Sequence, residues 1–315
     1  GTFTSLWQFY VFGIIQGCAA AFIGVIPAPI LLGNWFYKNT GTAVGISAAF
    51  SGLVGMIGSS ALGVLIPAYG WRTSYMIIGV SAMVLILPFS LFILRYKPED
   101  KGMLPYGADE NYVSKTDAKA AAKKEKFSDF AKQPIFYISL TAYACSIISS
   151  YLNSFLPSCG LEAGLPMAAA ALLTSLALCG NMTTKLFLGK LCDSYGVIKI
   201  FVLSIVVAIV GHGLIFIGST APMMAGALLY GITMPLSTVL MPLFCRLFWK
   251  GDTYASAYSY VSMFGMLISA PFNTLFGTMY DMTGNYDLTI ISSTAFVVVV
   301  LVMVILPKFV VKREA

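Results

Sequence analysis

The stretch NMTTKLFLGKLCDSYG, residues 181–196, determines how the rest of the chain is interpreted. Lys185 stands within a largely apolar run that begins near Met167, so a helix over this run places an ammonium group inside a bilayer. A cation at that depth costs roughly 2.5–3.5 kcal/mol. A helix tolerates that cost when the group faces a polar cavity, so we predict that Lys185 meets an anion on a transport path. The alternative is a lysine that snorkels to the inner interface, because Gly189 and Lys190 mark the helix end.

The composition is that of a membrane protein. Of the 315 residues, 58% are hydrophobic and only 10% are charged, and the mean hydropathy is +0.84, which is far from the average for globular domains. A spanning helix needs about 20 mostly apolar residues. We therefore predict an all-α membrane protein whose nine spans cover residues 7–33, 42–67, 73–94, 135–157, 167–189, 198–218, 222–247, 256–279 and 288–306.

The Lys and Arg residues gather on one side of the predicted membrane. If residue 1 is outside, Arg72 also lies outside, and every other Lys or Arg except Lys185 falls in an inner segment. Cytoplasmic loops carry such an excess, so we predict a multi-pass protein of the cell membrane with a cytoplasmic C-terminus. The net charge of +6 is then a topogenic signal and not a sign of nucleic-acid binding.

The sequence lacks the patterns that catalysis would need. It has no HExxH pattern, no phosphate-binding glycine loop and no Cys/His cluster, so we expect no enzyme, no cofactor and no metal site. The six cysteines lack CxxC spacing and are interpreted as small apolar packing residues. His212, the one histidine, lies inside a predicted span, where it is either a hydrogen-bonded structural residue or a proton relay.

The polar segment 96–133 and an internal repeat define the domain organisation. WFYKNTG at 35–41 is similar to LFWKGDT at 247–253, with Lys38 matching Lys250. A second pair of similar stretches, which contain glycines, is separated by nearly the same number of residues. Such a repeat indicates a duplication, of six plus six helices, from which this chain would lack the first three. The predicted parts are the last three helices of an N-terminal bundle (1–95), a cytoplasmic linker (96–133), a six-helix C-terminal bundle (134–306) and a cytoplasmic tail (307–315).

Two motifs resemble those of the major facilitator superfamily, whose two six-helix halves rock about a central site. GIIQGCAAA at 13–21 is similar to the superfamily's fourth-helix motif, although Gly13 stands where drug antiporters carry Arg. GKLCDSYGVIK at 189–199 is similar to its Gly-x-x-x-Asp cytoplasmic loop. The resemblance implies the major facilitator fold, with nine of its twelve helices present, and a gating role for Asp193.

Three further stretches resemble the oxalate/formate antiporter and monocarboxylate porter branch of that superfamily. They are NWF at 34–36, YGWR at 69–72 and KPEDKGMLPYG at 97–107. In this branch an Arg four residues before the loop glycine binds the substrate carboxylate, and Lys185 occupies that position. Asn181 stands where proton-coupled porters have an Asp, so the proton-coupling pair is incomplete.

The candidate functional residues fall into three groups. The predicted substrate-binding residues are Lys185, Asn181, Tyr151, Asn153, Tyr260 and Asn273. The predicted gating residues are Gly189, Asp193, Gly196, Lys38 and Lys250. The predicted helix-packing residues are Gln16, Gly17, Gly52 and Gly55, because small residues let helices approach closely in lipid.

Together these features predict a secondary active transporter that moves a small organic anion, a monocarboxylate, by alternating access. One ammonium group suits a monoanion, because no Lys or Arg lies between Lys250 and Lys308. The expected partners are the anion, a proton or counter-anion, and membrane lipid, and the expected state is a monomer. The alternatives are a carrier of a neutral metabolite or drug, in which Lys185 is structural, and a transporter-like membrane sensor.

Overall fold

The computed structural model describes residues 5–23, 27–108 and 127–307. Within these ranges all regular secondary structure is helical, apart from one isolated bridge between Phe36 and Tyr106. In a bilayer core no water is present to bond backbone groups, so apolar segments must satisfy their N–H and C=O groups internally, as helices do. The predicted all-α class is confirmed.

In the described ranges, twelve α-helices of five residues or more are numbered in chain order. They are α1 (Leu6–Ile23), α2 (Pro27–Trp35), α3 (Thr40–Pro88), α4 (Phe127–Ala131), α5 (Pro134–Ser150), α6 (Leu156–Glu162), α7 (Met167–Tyr195), α8 (Val197–Phe216), α9 (Thr220–Tyr230), α10 (Met241–Phe248), α11 (Gly251–Thr283) and α12 (Asp287–Ile305). Shorter helical pieces are the 3-10 turns Pro98–Lys101 and Tyr151–Ser154, the turn Thr233–Pro235, and the π-helices Phe89–Ile93 and Leu236–Leu240.

Six segments of the described chain are long and apolar enough to cross a membrane. They are Ala68–Ile93, Pro134–Ser154, Ala169–Tyr195, Val197–Phe216, Thr220–Phe248 and Asp287–Ile305. These correspond to six of the nine predicted spans, and the chain is a multi-pass membrane protein. Of the other three, 7–33 includes residues outside the described ranges, 42–67 is the first part of α3, and 256–279 lies within α11.

The two predicted spans at 42–67 and 73–94 are joined in α3, with a break at Gly70. This residue has φ 72° and ψ 160°, which is not helical. Glycine reaches positive φ without the steric cost that a Cβ imposes. The boundary between the two spans therefore lies at the glycine of the YGWR stretch.

The residues of α3 belong to two compact units. One unit comprises Gly1–Lys38 and Phe50–Ser114, and the other comprises Asn39–Ala49 and Lys115–Ala315. The first ten residues of α3 thus group with the C-terminal part of the chain, although the sequence suggests a division at residue 95. In the second unit α5 packs against α11 and α12, and α9 packs against α7 and α8.

In the first unit, the chain around the NWF stretch is hydrogen-bonded to residues 95–106, which end within the PYG sequence. The Tyr37 N–H donates to the Tyr106 carbonyl (2.9 Å), and the Tyr106 N–H donates to the Trp35 carbonyl (2.8 Å). The Trp35 indole N–H donates to the carbonyl of Arg95 (2.9 Å), and the Asn34 amide donates to the next carbonyl along the chain (3.3 Å). The two stretches form one structural feature in which side chains of the first cap the end of the 68–93 span.

In the second unit, α8 and α9 meet through glycines. A Cβ at Gly211 would lie 2.6 Å from the backbone nitrogen of Tyr230, and a Cβ at Gly226 would lie 2.8 Å from the carbonyl oxygen of Gly211. Both positions require a hydrogen atom in place of a side chain. Such close backbone approach is how transmembrane helices gain packing energy, because lipid removes the hydrophobic drive between them.

We expect Gly211→Ala to lower the melting temperature in detergent, because the added methyl group must push α8 and α9 apart. Overpacking of this kind costs about 1–3 kcal/mol. The matched control is Gly213→Ala on the same helix, where a Cβ meets nothing within 4 Å. This control is expected to leave the melting temperature unchanged or slightly raised. Equal melting temperatures for the two variants would contradict the close contact.

Candidate functional site

Lys185 lies in the second half of α7 and is buried by the protein. Its side chain is only 5% exposed. Within the described residues it has no hydrogen bond and no ion pair. A snorkelling lysine would carry its ammonium to the interface, whereas here the group stays inside the protein. Lys185 is therefore a buried charge without a compensating partner among the described residues.

Asn181 lies one turn before Lys185 on the same face of α7. Its side chain is also 5% exposed, and its Oδ1 has no hydrogen-bond partner in the described structure. Thr174 lies two turns before Asn181 on this face, and its Oγ1 also has no hydrogen-bond partner in the described structure. A buried polar atom without a partner costs about 1–3 kcal/mol. These atoms give the face of α7 a polar stripe that suits a polar ligand.

The span from 220 to 248 is broken where it meets Asn181. Helix α9 ends at Tyr230, and a Cβ on Gly231 would lie 2.6 Å from the Asn181 backbone nitrogen. After a short turn the chain continues as a π-helix and then as α10. Discontinuous helices line substrate sites in many transporters, and π-helical turns are common at functional sites.

Thr233 lies in this break and was not among the predicted site residues. Its side chain is fully buried, and its Oγ1 has no hydrogen-bond partner among the described residues. The sequence signal was present in GITMP at 231–235, where a glycine and a proline interrupt an apolar run. A helix break predicted from that pair would have marked Thr233 as a polar residue at a discontinuity in a span.

A second break lies at the end of α5 and carries two of the predicted substrate-binding residues. The helix changes to a 3-10 turn at Tyr151–Ser154. The Tyr151 hydroxyl lies 3.5 Å from the hydroxyl of Ser269 on α11, and the Oδ1 of Asn153 is buried without a hydrogen bond. Tyr230 contacts the backbone of Asn153. Asn181 therefore contacts the break in the 220–248 span and Thr233 lies in it, while the backbone of Asn153 contacts Tyr230 at the edge of the break.

Two other predicted substrate-binding residues lie elsewhere. The ring of Tyr260 packs against Phe127 at 5.2 Å and against Phe130 at 5.8 Å, in an aromatic cluster near the start of α5. Asn153 lies beyond the opposite end of that helix. Asn273 is on α11 and is exposed. The described contacts thus place Tyr260 in the aromatic cluster, and a substrate-binding role for Tyr260 and Asn273 stays a prediction.

Asp193, near the end of α7, caps the N-terminus of α3. Its Oδ1 accepts a hydrogen bond from the Gly41 N–H (3.1 Å), and its Oδ2 accepts from the Thr42 N–H and the Thr42 hydroxyl (2.8 Å each). The first N–H groups of a helix have no partner within the helix, and the helix dipole favours an anion there. The carboxylate therefore ties the start of α3 to the end of α7.

The same two helices are in contact along a row of glycines. A Cβ on Gly189 would overlap the carbonyl oxygen of Gly41, and a Cβ on Gly45 would lie 2.7 Å from the carbonyl oxygen of Lys185. The backbone that holds Lys185 and the carboxylate that caps α3 thus belong to one packed seam. Arg246 of α10 adds a positive charge that interacts with Asp193.

Comparison with known proteins identifies the family. The sequence model for the Major Facilitator Superfamily matches residues 1–245. The chain belongs to the Major Facilitator Superfamily.

Its curated relatives in this superfamily are distant. The chain is 26% identical over 212 residues to a benzoate transport protein of Acinetobacter baylyi, an alignment that covers 60% of this chain and 45% of that protein. It is 34% identical over 86 residues to an uncharacterized transporter of Saccharomyces cerevisiae, ESBP6, covering 27% of this chain and 13% of that one. The chain thus matches less than half the length of either relative.

Solved structures show the same fold. The Major Facilitator Superfamily transporter FucP, in the outward conformation, superposes with a TM-score of 0.67 at 14% identity, covering 92% of this chain and 72% of FucP. A variant of the E. coli fucose:proton symporter FucP gives a TM-score of 0.64, also at 14% identity, covering 92% of this chain and 73% of that one. The major facilitator fold is therefore confirmed, while the oxalate and monocarboxylate branch stays a prediction.

The other predicted gating residues with described surroundings are Gly196, Lys38 and Lys250. Gly196 ends α7 with φ 90°, a conformation that suits glycine. Lys38 is exposed, and its side-chain stem lies against Gly107, where a Cβ would come within 2.8 Å. Lys250 is exposed at the start of α11. A gating role for these residues stays a prediction.

The predicted packing residues of the superfamily's fourth-helix motif are exposed here. Gln16 and Gly17 lie on α1, and a Cβ at Gly17 would meet nothing within 4 Å in the described structure. Gly52 is half-buried in α3, and the surroundings of Gly55 lie outside what the structure describes. Their role in packing stays a prediction.

We expect Asp193→Asn to speed amide hydrogen exchange in peptides that contain Gly41 and Thr42. The asparagine keeps the shape but loses the charge-assisted bonds, which contribute about 0.3–1 kcal/mol at a helix N-terminus and up to ~2 when partly buried. Exchange should rise about two- to tenfold, as measured by mass spectrometry. Ser194→Ala, an exposed neighbour, is the control. Unchanged exchange in Asp193→Asn would show that the cap adds no stability.

Proposed function

We propose that this protein is a secondary transporter of a small monocarboxylate anion, with Lys185 as the residue that binds the carboxylate. One observation carries the proposal: the Lys185 ammonium is buried in the second half of a transmembrane helix and has no partner in the described structure. An uncompensated buried charge is destabilising. A bound carboxylate supplies the missing charge, so the free energy of binding includes relief of that cost.

The neutral polar groups nearby have a supporting role in this proposal. Asn181 and Thr233 lie beside the break in the 220–248 span, and Asn153 approaches it from α5. Amide and hydroxyl groups both donate and accept hydrogen bonds. They orient the anion while Lys185 supplies the charge. Lys185 is the one buried Lys or Arg among the described residues, which favours a monoanion over a dianion.

One relative supports a carboxylate as substrate. It is a benzoate transport protein, and the charged group of benzoate is a carboxylate. FucP is a fucose:proton symporter, but its 14% identity shows the fold alone. A carrier of neutral solutes would leave Lys185 without a compensating charge, so the anion is the better fit to this site.

Alternating access requires a contact that forms and breaks, and we assign this role to the cap on α3. Asp193 binds the first turn of α3, and Gly189 lets the two backbones touch. When the substrate site opens to the cytoplasm, these contacts separate. In this proposal Asp193 is a gating residue. Its main partner is the N-terminus of α3, and the basic side chain of Arg246 adds to that interaction.

We expect Lys185→Gln to abolish the binding of small carboxylates. In a thermal-shift screen with formate, acetate, lactate and benzoate, a ligand at a hundred times its dissociation constant stabilises the protein by about 2.7 kcal/mol. The variant should lose this stabilisation and about ten- to hundredfold in uptake into proteoliposomes. Lys185→Arg should retain part of both, since it keeps the charge. Lys190→Gln, an exposed site on the same helix, is the control.

Three results would separate the alternatives. Equal carboxylate uptake in wild type and Lys185→Gln would contradict the proposal. Stabilisation of both proteins by a neutral compound would favour a neutral-solute carrier. Binding of a carboxylate without any flux would favour a membrane sensor.

We also expect Asp193→Asn to change transport rate more than substrate affinity, because the cap lies outside the polar site. Uptake measured over a range of carboxylate concentrations should show a lower maximal rate with KM within about twofold of wild type. Single cysteines placed on each side of the membrane should show changed accessibility to a thiol reagent. A variant with wild-type rate and accessibility would exclude a gating role.

A further inference from the structure

The carbonyl groups at the end of α5 are bound by side chains from two other helices. The Tyr230 hydroxyl donates to the carbonyls of Ser149 (3.1 Å) and Ser150 (2.9 Å). The Ser293 hydroxyl of α12 lies 3.0 Å from the Ser149 carbonyl and donates to it. Tyr230, Ser293 and Ser149 are all fully buried. The bonds fall where α5 gives way to the 3-10 turn Tyr151–Ser154.

His212 on α8 contacts both of these donors, Ser293 and Tyr230. Its Nδ1 lies 2.7 Å from the Ala208 carbonyl oxygen, and its Nε2 lies 2.9 Å from the Ser293 hydroxyl oxygen. A carbonyl only accepts, so Nδ1 carries the hydrogen, and in the neutral ring Nε2 is an acceptor. Ser293 then shares its one hydrogen between His212 and Ser149. The imidazole also packs edge-on against the Tyr230 ring, with centroids 5.0 Å apart.

Tyr230 connects this network to the polar site. Its hydroxyl bonds the end of α5, where the turn with Tyr151 and Asn153 begins. Its neighbour in the chain is Gly231, which contacts Asn181. Tyr230 therefore links the end of α5 to the break in the 220–248 span, and Ser293 and His212 hold the same α5 carbonyl and the Tyr230 ring. These side chains can act on the site without touching the substrate.

We propose that Tyr230, Ser293 and His212 are positioning residues that fix the turn 151–154 against the broken 220–248 span and so set the affinity for the substrate. The inference rests on the proposed function, because it takes the groups around Asn181 as the substrate site. Buried polar groups are costly in a membrane, and apolar residues would fill the same space. We account for their clustering at the transition from α5 to the 3-10 turn by two effects. Tyr230 and Ser293 bind the carbonyls at that transition, and they thereby fix the geometry of the turn.

Two substitutions remove the bonds with little change of shape, Tyr230→Phe and Ser293→Ala. The control for the second is Ser204→Ala, because Ser204 is equally buried but bonds only the Ile200 carbonyl of its own helix (2.8 Å). The first readout is amide exchange over residues 151–156. The second is the dissociation constant for the carboxylate, among formate, acetate, lactate and benzoate, that gives the largest thermal shift with wild type.

We expect both substitutions to speed exchange over 151–156 and to weaken carboxylate binding, each about three- to tenfold, while Ser204→Ala does neither. His212→Leu should also speed exchange and weaken binding, because it removes the ring that packs on Tyr230 and orients the Ser293 hydroxyl. Its effect and that of Ser293→Ala should add to less than their sum, since the two residues are in contact. His212→Gln should recover part of the affinity, since its amide can bond Ser293.

Each outcome decides the question. Unchanged exchange in Tyr230→Phe and Ser293→Ala would overturn the positioning role, and so would faster exchange with wild-type affinity. If those variants keep carboxylate binding while Lys185→Gln loses it, the positioning role alone fails. If wild type and Lys185→Gln bind the four carboxylates equally or not at all, the proposed function fails, and the assignment of these residues to substrate affinity fails with it.

Discussion

Every buried polar group in a transmembrane bundle must find its partner inside the protein, because the bilayer core offers no water. This constraint links the main features of the second unit. The N–H groups that begin α3 are met by Asp193, the carbonyls that end α5 are met by Tyr230 and Ser293, and His212 is held at both ring nitrogens. Against this background, the Lys185 ammonium and the unpaired oxygens of Asn153, Asn181 and Thr233 are exceptions in the described chain.

Glycine provides the second constraint, since these bonds form only if the helices approach closely. Gly41 and Gly45 let α3 reach α7, and Gly231 lets the 220–248 span reach Asn181. The polar site and the cap on α3 are therefore both consequences of close backbone contact. Larger residues at these positions would move a helix away from its neighbour and would lengthen the hydrogen bonds as well.

The sequence was sufficient for features that depend on local composition. Spans follow from runs of apolar residues, and the cost of a buried charge singled out Lys185. It was insufficient where position depends on packing. Tyr260 and Asn153 are both polar residues in predicted spans, yet only the structure shows that Tyr260 belongs to an aromatic cluster. Thr233 was overlooked because its role arises from a broken helix, not from its residue type.

The seam between α3 and α7 has a consequence for the kinetics of any change there. Gly41 and Gly45 meet the backbone at Lys185 and Gly189, so no side chain at the centre of the contact can relax by rotating into another rotamer. The surfaces can only stay together or part as rigid bodies, and parting also breaks the bonds to Asp193. Packed contacts of this kind are bistable rather than continuously deformable. Under the gating role proposed for Asp193, this seam gives discrete states with a barrier between them, and not a gradual series of openings.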